Sequence, residues 1–154
     1  MLVLLNRILK ETNTNQICEV WPNIEVYFHG GVSFKPYLNQ YKKLIGKDYM
    51  RYYEIYNASE GFFAIQYENN SDELLLMLDY GIFYEFIDMD KYETNEERVI
   101  SLADVKLDTN YAILITTNAG LWRYKIGDTV KFTCLSPFKI IVSGRTKHYI
   151  NVFG

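Results

Sequence analysis

YYEIYNASEGFFAIQYE, residues 52–68, decides the fold. Tyr52 to Ile55 reads as a short strand, FFAIQYE as a second one, and the polar string between them as a turn. That turn places Glu60 between Ser59 and Gly61, where a glycine lets backbone or ligand approach closely. A carboxylate in such a turn can hold Mg²⁺ against phosphate oxygens, since this ion takes one or two protein carboxylates plus substrate phosphates. An ordinary solvent-facing turn glutamate explains the residue equally well. Tyr56 can stack on a base, or serve simply as a sheet aromatic in a chain with 14 tyrosines.

Upstream, the pattern alternates between strand and helix. NIEVYFHGG puts Ile24, Val26 and Phe28 on one face of a strand ending at Gly30-Gly31. Ser33 is placed to cap a helix whose apolar stripe is Tyr37, Leu38, Tyr41, Leu44 and Ile45, with Gly46 at its end. His29 either lines a pocket or is a satisfied strand-end histidine. The chain opens on MLVLLNRILKE, in which Met1, Leu4, Leu5, Ile8 and Leu9 recur at helical spacing. Its apolar run is too short for a membrane span and has no signal-peptide cleavage site.

Downstream, ELLLMLD, IFYEFID, YAILITTN, DTVKFTC and KIIVSG are short β-type runs separated by turn or charged residues. Residues 88–98 are dense in charge and form a solvated excursion. The expected fold is α/β (α+β): a strand-helix-strand lobe over 1–61, then a mostly antiparallel twisted sheet or small distorted barrel over 62–154. Strand, helix, strand and then a functional turn is how open sheets present ligand sites.

At 154 residues the chain can bury a core, and 49% of its residues are hydrophobic. A net charge of −3 argues against a broad nucleic-acid or anionic-membrane surface. Cys18 and Cys134 have neither metal nor disulfide spacing, which fits a reducing, cytoplasmic setting.

Two further segments carry charge beside glycine. In GLWRYKIGD, Asp128 follows Gly127 at the end of an apolar-aromatic strand. A carboxylate suits paired ribose hydroxyls, because its oxygens accept several O–H donors; a turn aspartate after glycine is the plainer explanation. In SGRTKHYINVFG, Arg145 can bind phosphate or ribose oxygens, or merely close a strand. Arg123 and Lys125 alternate with Trp122 and Tyr124 and read as a solvated strand face. His148 carries no usable signal.

In this order, HGG, YNASEG, YEF, TTNAGLWRYKIGD and SGRTKHYINVFG resemble the acyl-acid amido synthetase family, within the adenylate-forming superfamily. The plant auxin- and jasmonate-conjugating enzymes and their bacterial relatives belong to it. HGGVSF and GRTKHYINVFG are most similar to the bacterial branch. The resemblance implies activation of a small carboxylic acid by Mg-ATP to an acyl-adenylate, then attack by an amino acid to give an amide and AMP. It implies that Tyr56 lies by the adenine, Ser59 approaches the α-phosphate, and Glu60 serves Mg²⁺ and phosphate. It implies that Asp128 binds the ribose hydroxyls and that Arg145 lies near ribose and phosphate before an interdomain hinge. Gly30 and Gly31 match glycines beside adenine and the acyl pocket. Glu60 and Arg145 are thus the candidate catalytic residues.

No Ser/Thr/Gly-rich phosphate loop is present, and no GxxxxGK. The expectation is therefore one unit, 1–154, forming the central part of a large N-terminal adenylating domain. The phosphate loop and C-terminal domain would lie outside it, leaving the isolated chain inactive and prone to self-association. The alternatives are a non-catalytic binding module for a small apolar ligand and an interaction module of the same β-rich fold.

Overall fold

The first helix, α1 (Leu2–Thr12), forms without a side-chain cap and ends at Asn13 in the left-handed conformation. The computed structural model describes residues 1–31 and 33–146; His148 and the rest of the segment after Thr146 lie outside the described residues. The face α1 buries is Leu2, Leu5, Ile8 and Leu9, while Met1 and Leu4 of the expected stripe point to solvent. A one-turn helix, α2 (Ile17–Val20), follows. It is closed by reciprocal bonds between Gln16 and Glu19, a capping box.

Strand β1 (Val26–His29), helix α3 (Leu38–Ile45) and strand β2 (Arg51–Ala58) make a parallel β-α-β unit. Ser33 does not cap α3, contrary to the sequence expectation. The helix starts after a turn in which the N–H groups of Tyr37 and Leu38 both donate to the Phe34 carbonyl. Lys35 precedes Pro36, and a residue before proline is disfavoured in the α region, which delays the helix. Tyr41 and Ile45 of α3 pack with Leu5, Ile17 and Met50 in a small core under the helices.

From β2 the chain runs antiparallel through β3 (Gly61–Gln66), β4 (Leu74–Leu76), β5 (Ile82–Asp88), β6 (Val99–Ser101), β7 (Asn110–Thr117), β8 (Tyr124–Leu135) and β9 (Phe138–Arg145). Among the described residues nine strands form one sheet of order β1-β2-β3-β4-β9-β8-β7-β5-β6, with only β1 and β2 parallel. The hydrogen-bond ladder is open rather than a closed barrel, yet the sheet curls strongly. The Tyr84 hydroxyl of β5 donates to the Met77 carbonyl at 3.1 Å, across from β3 and β4, although four strands separate β3 from β5 in the sheet order. Phe63, Phe86, Phe132, Ile113, Ile115, Val130 and Ile140 fill the concave side as the main core. On the convex side Ile87, Ala112 and Leu114 form a smaller cluster.

Candidate nucleotide site

β2 is longer than its sequence suggests. It continues through Tyr56 to Ala58, so Ser59 and Glu60 alone form the hairpin turn, with Ala58 paired to Gly61. A register shift between Tyr56 and Asn57 bends the strand just before that turn. Such bulges re-aim side chains. A Cβ on Gly61 would meet the Ile82 Cδ1 atom at 2.8 Å, so this glycine lets the hairpin close against β5.

Asp128 is neither at a strand end nor in a turn. It sits inside the 12-residue strand β8 at an irregularity: Ala112 pairs with Thr129 and Leu114 with Lys125, so Ile126-Gly127-Asp128 bulge from the ladder. Gly127 takes φ 92° there, a backbone that glycine adopts without penalty. Its carbonyl accepts from the Thr146 N–H at 2.8 Å. Just behind, buried Thr129 hydrogen-bonds Ser143 at 2.9 Å, and Ser143 donates to Asn110 at 2.5 Å, fastening three strands together.

The bulge delivers the Asp128 carboxylate to two partners. Tyr56 donates its hydroxyl to Oδ2 at 3.0 Å, and Arg145 Nε lies 3.1 Å from Oδ1. Asp128 and Arg145 are directly paired across β8 and β9. The carboxylate side chain is 15% exposed and that of Arg145 is 67% exposed, so most of the guanidinium faces solvent. A carboxylate has about four lone-pair sites, so acceptor capacity remains for incoming hydroxyls. Burial, and then the Asp128 charge, push the Tyr56 phenol well above its ordinary range, which keeps it a proton donor.

Glu60 joins the same strand from the other side. It is half-buried and hydrogen-bonds Tyr124, whose pKa is raised first by that bond and then by the Glu60 charge. The fold therefore brings Tyr56, Glu60, Asp128 and Arg145 together along one stretch of β8, and Ser59 is exposed beside them. Tyr124 escaped the sequence reading because only the fold sets it against Glu60. Among the described residues there is no group of three or more His, Cys, Asp or Glu poised for a metal. The donor set suits an ion needing one protein carboxylate and completing its shell with phosphate oxygens and water, as Mg²⁺ does.

Gly30 borders this site through β2, pressed against Ile55 beside Tyr56; Gly31 stands in open space at φ 82°. His29 is not a satisfied strand-end residue. Its ring stacks on Phe34 at 4.0 Å, its Nδ1 is buried with no hydrogen-bond partner among the described residues, and burial lowers its pKa. It lines a polar cleft of about 440 Å³ with Glu54, Gln66, Tyr52 and Asp72. Arg123 and Lys125 are not merely solvated. Arg123 lies just before β8 at φ 45° and holds Glu85 through two bonds of 3.0 and 2.7 Å, while Lys125 reaches Glu97 at 3.1 Å.

Comparison with known proteins agrees with this architecture. Residues 2–50 match the GH3 family N-terminal domain, and residues 75–145 match the GH3 family central domain. A jasmonoyl–L-amino acid synthetase of Nicotiana attenuata is 33% identical over 124 residues, covering 75% of this chain and 21% of that protein. An indole-3-acetic acid-amido synthetase of Arabidopsis thaliana is 27% identical over 76% of this chain and 20% of its own length. The solved GH3.15 acyl acid amido synthetase in complex with 2,4-DB superposes with a TM-score of 0.68 at 18% identity, over 94% of this chain and 26% of that one. The chain thus spans about a fifth of the length of the curated relatives it matches.

Proposed function

The chain belongs to the GH3 family, and we propose that it supplies the ribose and metal side of the nucleotide site in an ATP-dependent acyl-acid amido synthetase. A carboxylic acid and ATP give an acyl-adenylate and pyrophosphate; an amino-acid amine then attacks the acyl carbon, giving the amide and releasing AMP. The observation that carries this reading is the chain of contacts Tyr56–Asp128–Arg145, built on bulged strands beside the Glu60 turn. Asp128 accepts the ribose hydroxyls on the acceptor sites that Tyr56 and Arg145 leave open. Arg145 offers its exposed guanidinium to ribose or phosphate oxygens. Ser59, exposed in the turn, faces the α-phosphate, and Gly30 and Gly31 lie beside the adenine and the acyl pocket.

Glu60 would hold Mg²⁺, which when bound neutralises phosphate charge. Adenylation is mainly positioning plus electrostatic stabilisation of a charged phosphorus centre, and losing one preorganised group costs ~100- to 1000-fold. No helix among the described residues is long and apolar enough to cross a membrane. The cytoplasmic setting, and a place in the bacterial branch through HGGVSF, belong to the same proposal. The relatives carry names of jasmonate and indole-acetate conjugation, and a small apolar acid with an amino-acid acceptor is the substrate class we adopt.

The test is acid-dependent ATP–pyrophosphate exchange by the full-length protein that carries this chain, followed by amino-acid addition and detection of the amide. Exchange that disappears in Glu60→Gln supports the reading. Absence of exchange across a panel of indole, benzoate and fatty acids overturns it in favour of a binding module.

A further inference from the structure

We propose that Tyr56 is a positioning residue whose hydroxyl acts through Asp128 on the ribose, rather than a surface on which the base stacks. The proposal rests on the nucleotide reading above and adds a role to a residue of that site. Tyr56 is 8% exposed, and its ring lies in the main core, 5.0 Å from Phe63 at an angle of 57°. A platform for a base needs an open ring face, and this ring offers little. The part of Tyr56 that reaches out of the core is its hydroxyl, which donates to Asp128 Oδ2 at 3.0 Å.

The path of that bond matters. β2 and β8 are not neighbours in the sheet; β3, β4 and β9 separate them in the strand order. The Tyr56 side chain therefore spans the concave side of the curled sheet and ties the Glu60 hairpin to the Asp128 bulge. Tyr56 holds Oδ2 by a charge-assisted hydrogen bond, and the Arg145 guanidinium faces Oδ1 as an ion pair at 3.1 Å, so both carboxylate oxygens have a partner. A carboxylate held at both oxygens cannot rotate freely, and its remaining lone pairs keep one direction. Paired hydroxyls on adjacent ribose carbons require that. Preorganisation of this kind raises affinity by removing the cost of ordering the group at binding. The raised pKa of the buried phenol keeps the donor protonated throughout the working pH range.

Tyr56→Phe separates the two roles, because it keeps the ring and removes only the hydroxyl. Calorimetric titration of the full-length protein would compare ATP with 2′,3′-dideoxy-ATP, with thermal unfolding run alongside. The wild type should prefer ATP. Tyr56→Phe should lose about tenfold in ATP affinity, the usual scale for a hydrogen bond to a charged group, and keep its dideoxy-ATP affinity within about twofold. A second variant guards against a folding defect: in an Asp128→Asn background, Tyr56→Phe should add little further loss for ATP. Wild-type discrimination that survives unchanged in Tyr56→Phe overturns the proposal alone. An equal loss for both nucleotides assigns Tyr56 to the base or to stability and overturns it as well. Equal binding of the two nucleotides by the wild type overturns the ribose reading of Asp128 and the proposal with it.

Discussion

Gly30→Ala should destabilise the protein by about 1–3 kcal/mol, the usual cost of forcing an extra methyl into a packed site. An alanine Cβ at this position would stand 2.3 Å from the Ile55 carbonyl oxygen and 3.2 Å from its Cγ1. Real Cβ contacts essentially never fall below 3.0 Å, so at least 3.0 − 2.3 = 0.7 Å of movement is required. The obstructing atom is backbone, and it cannot rotate away as a side chain would. Ile55 is also paired with Ile65 of β3, so relief on one side strains the ladder on the other. Gly31 is the internal control, with nothing within 4 Å of its Cβ position and φ at 82°. That left-handed backbone strains any L side chain, Asn the least, so Gly31→Asn should cost about 1 kcal/mol through its φ alone and nothing through packing. Urea unfolding reads both variants, and with a slope of about 2 kcal/mol/M the Gly30→Ala midpoint should fall by roughly 0.5–1.5 M. An unchanged midpoint for Gly30→Ala would refute the packing of β1 on β2. Unchanged stability with lost ATP binding would show that the glycine is kept for ligand space instead.

Arg123→Ala should cost about 1–3 kcal/mol, because it leaves the Glu85 side chain, 10% exposed, without its bidentate partner. Arg7→Ala, which breaks an exposed pair with Glu11, should cost under about 0.5 kcal/mol in the same urea experiment. Alkaline pH should unfold the protein early. Tyr41 is pushed up to about 12, first by burial and then by its contact with Tyr27, while an unfolded tyrosine titrates near 10. The unfolded chain then releases protons that the native state retains, so stability is complete below pH ~10 and declines as pH rises from there to about 12. Absorbance at 295 nm against pH, with circular dichroism alongside, should show that decline; constant stability across the window would contradict the buried phenols. Tyr124→Phe should spare the fold but weaken Mg-ATP binding a few-fold, by releasing the Glu60 carboxylate that it orients.

Much of this was legible one element at a time. The Glu60 hairpin shows in two β-type runs around a polar turn, and α1 and α3 show in the spacing of Leu5, Ile8, Tyr41 and Ile45. Local pattern fails where a local rule is overridden. Pro36 delays the helix that Ser33 would have capped, and α2 is too short to display a period. The site is a different case, because its residues are visible as types but not as a constellation. Tyr56 and Asp128 stand 72 positions apart, and nothing local shows that the sheet curls enough to join them. Alternation along β8 would point Asp128 by simple parity, but the bulge at Gly127 breaks parity at that point. Arg123 and Lys125 read as solvent-facing for the same reason, since Glu85 and Glu97 come from other parts of the fold.

The most direct test is calorimetric titration of AMP into the full-length protein, comparing wild type with Asp128→Ala and Arg123→Ala. Asp128 lies in the proposed ribose site, and Arg123 pairs with Glu85 away from it. AMP should bind the wild type and Arg123→Ala with similar affinity, and Asp128→Ala at least about tenfold more weakly. Equal AMP affinity in all three proteins would contradict a nucleotide site built on Tyr56, Asp128 and Arg145.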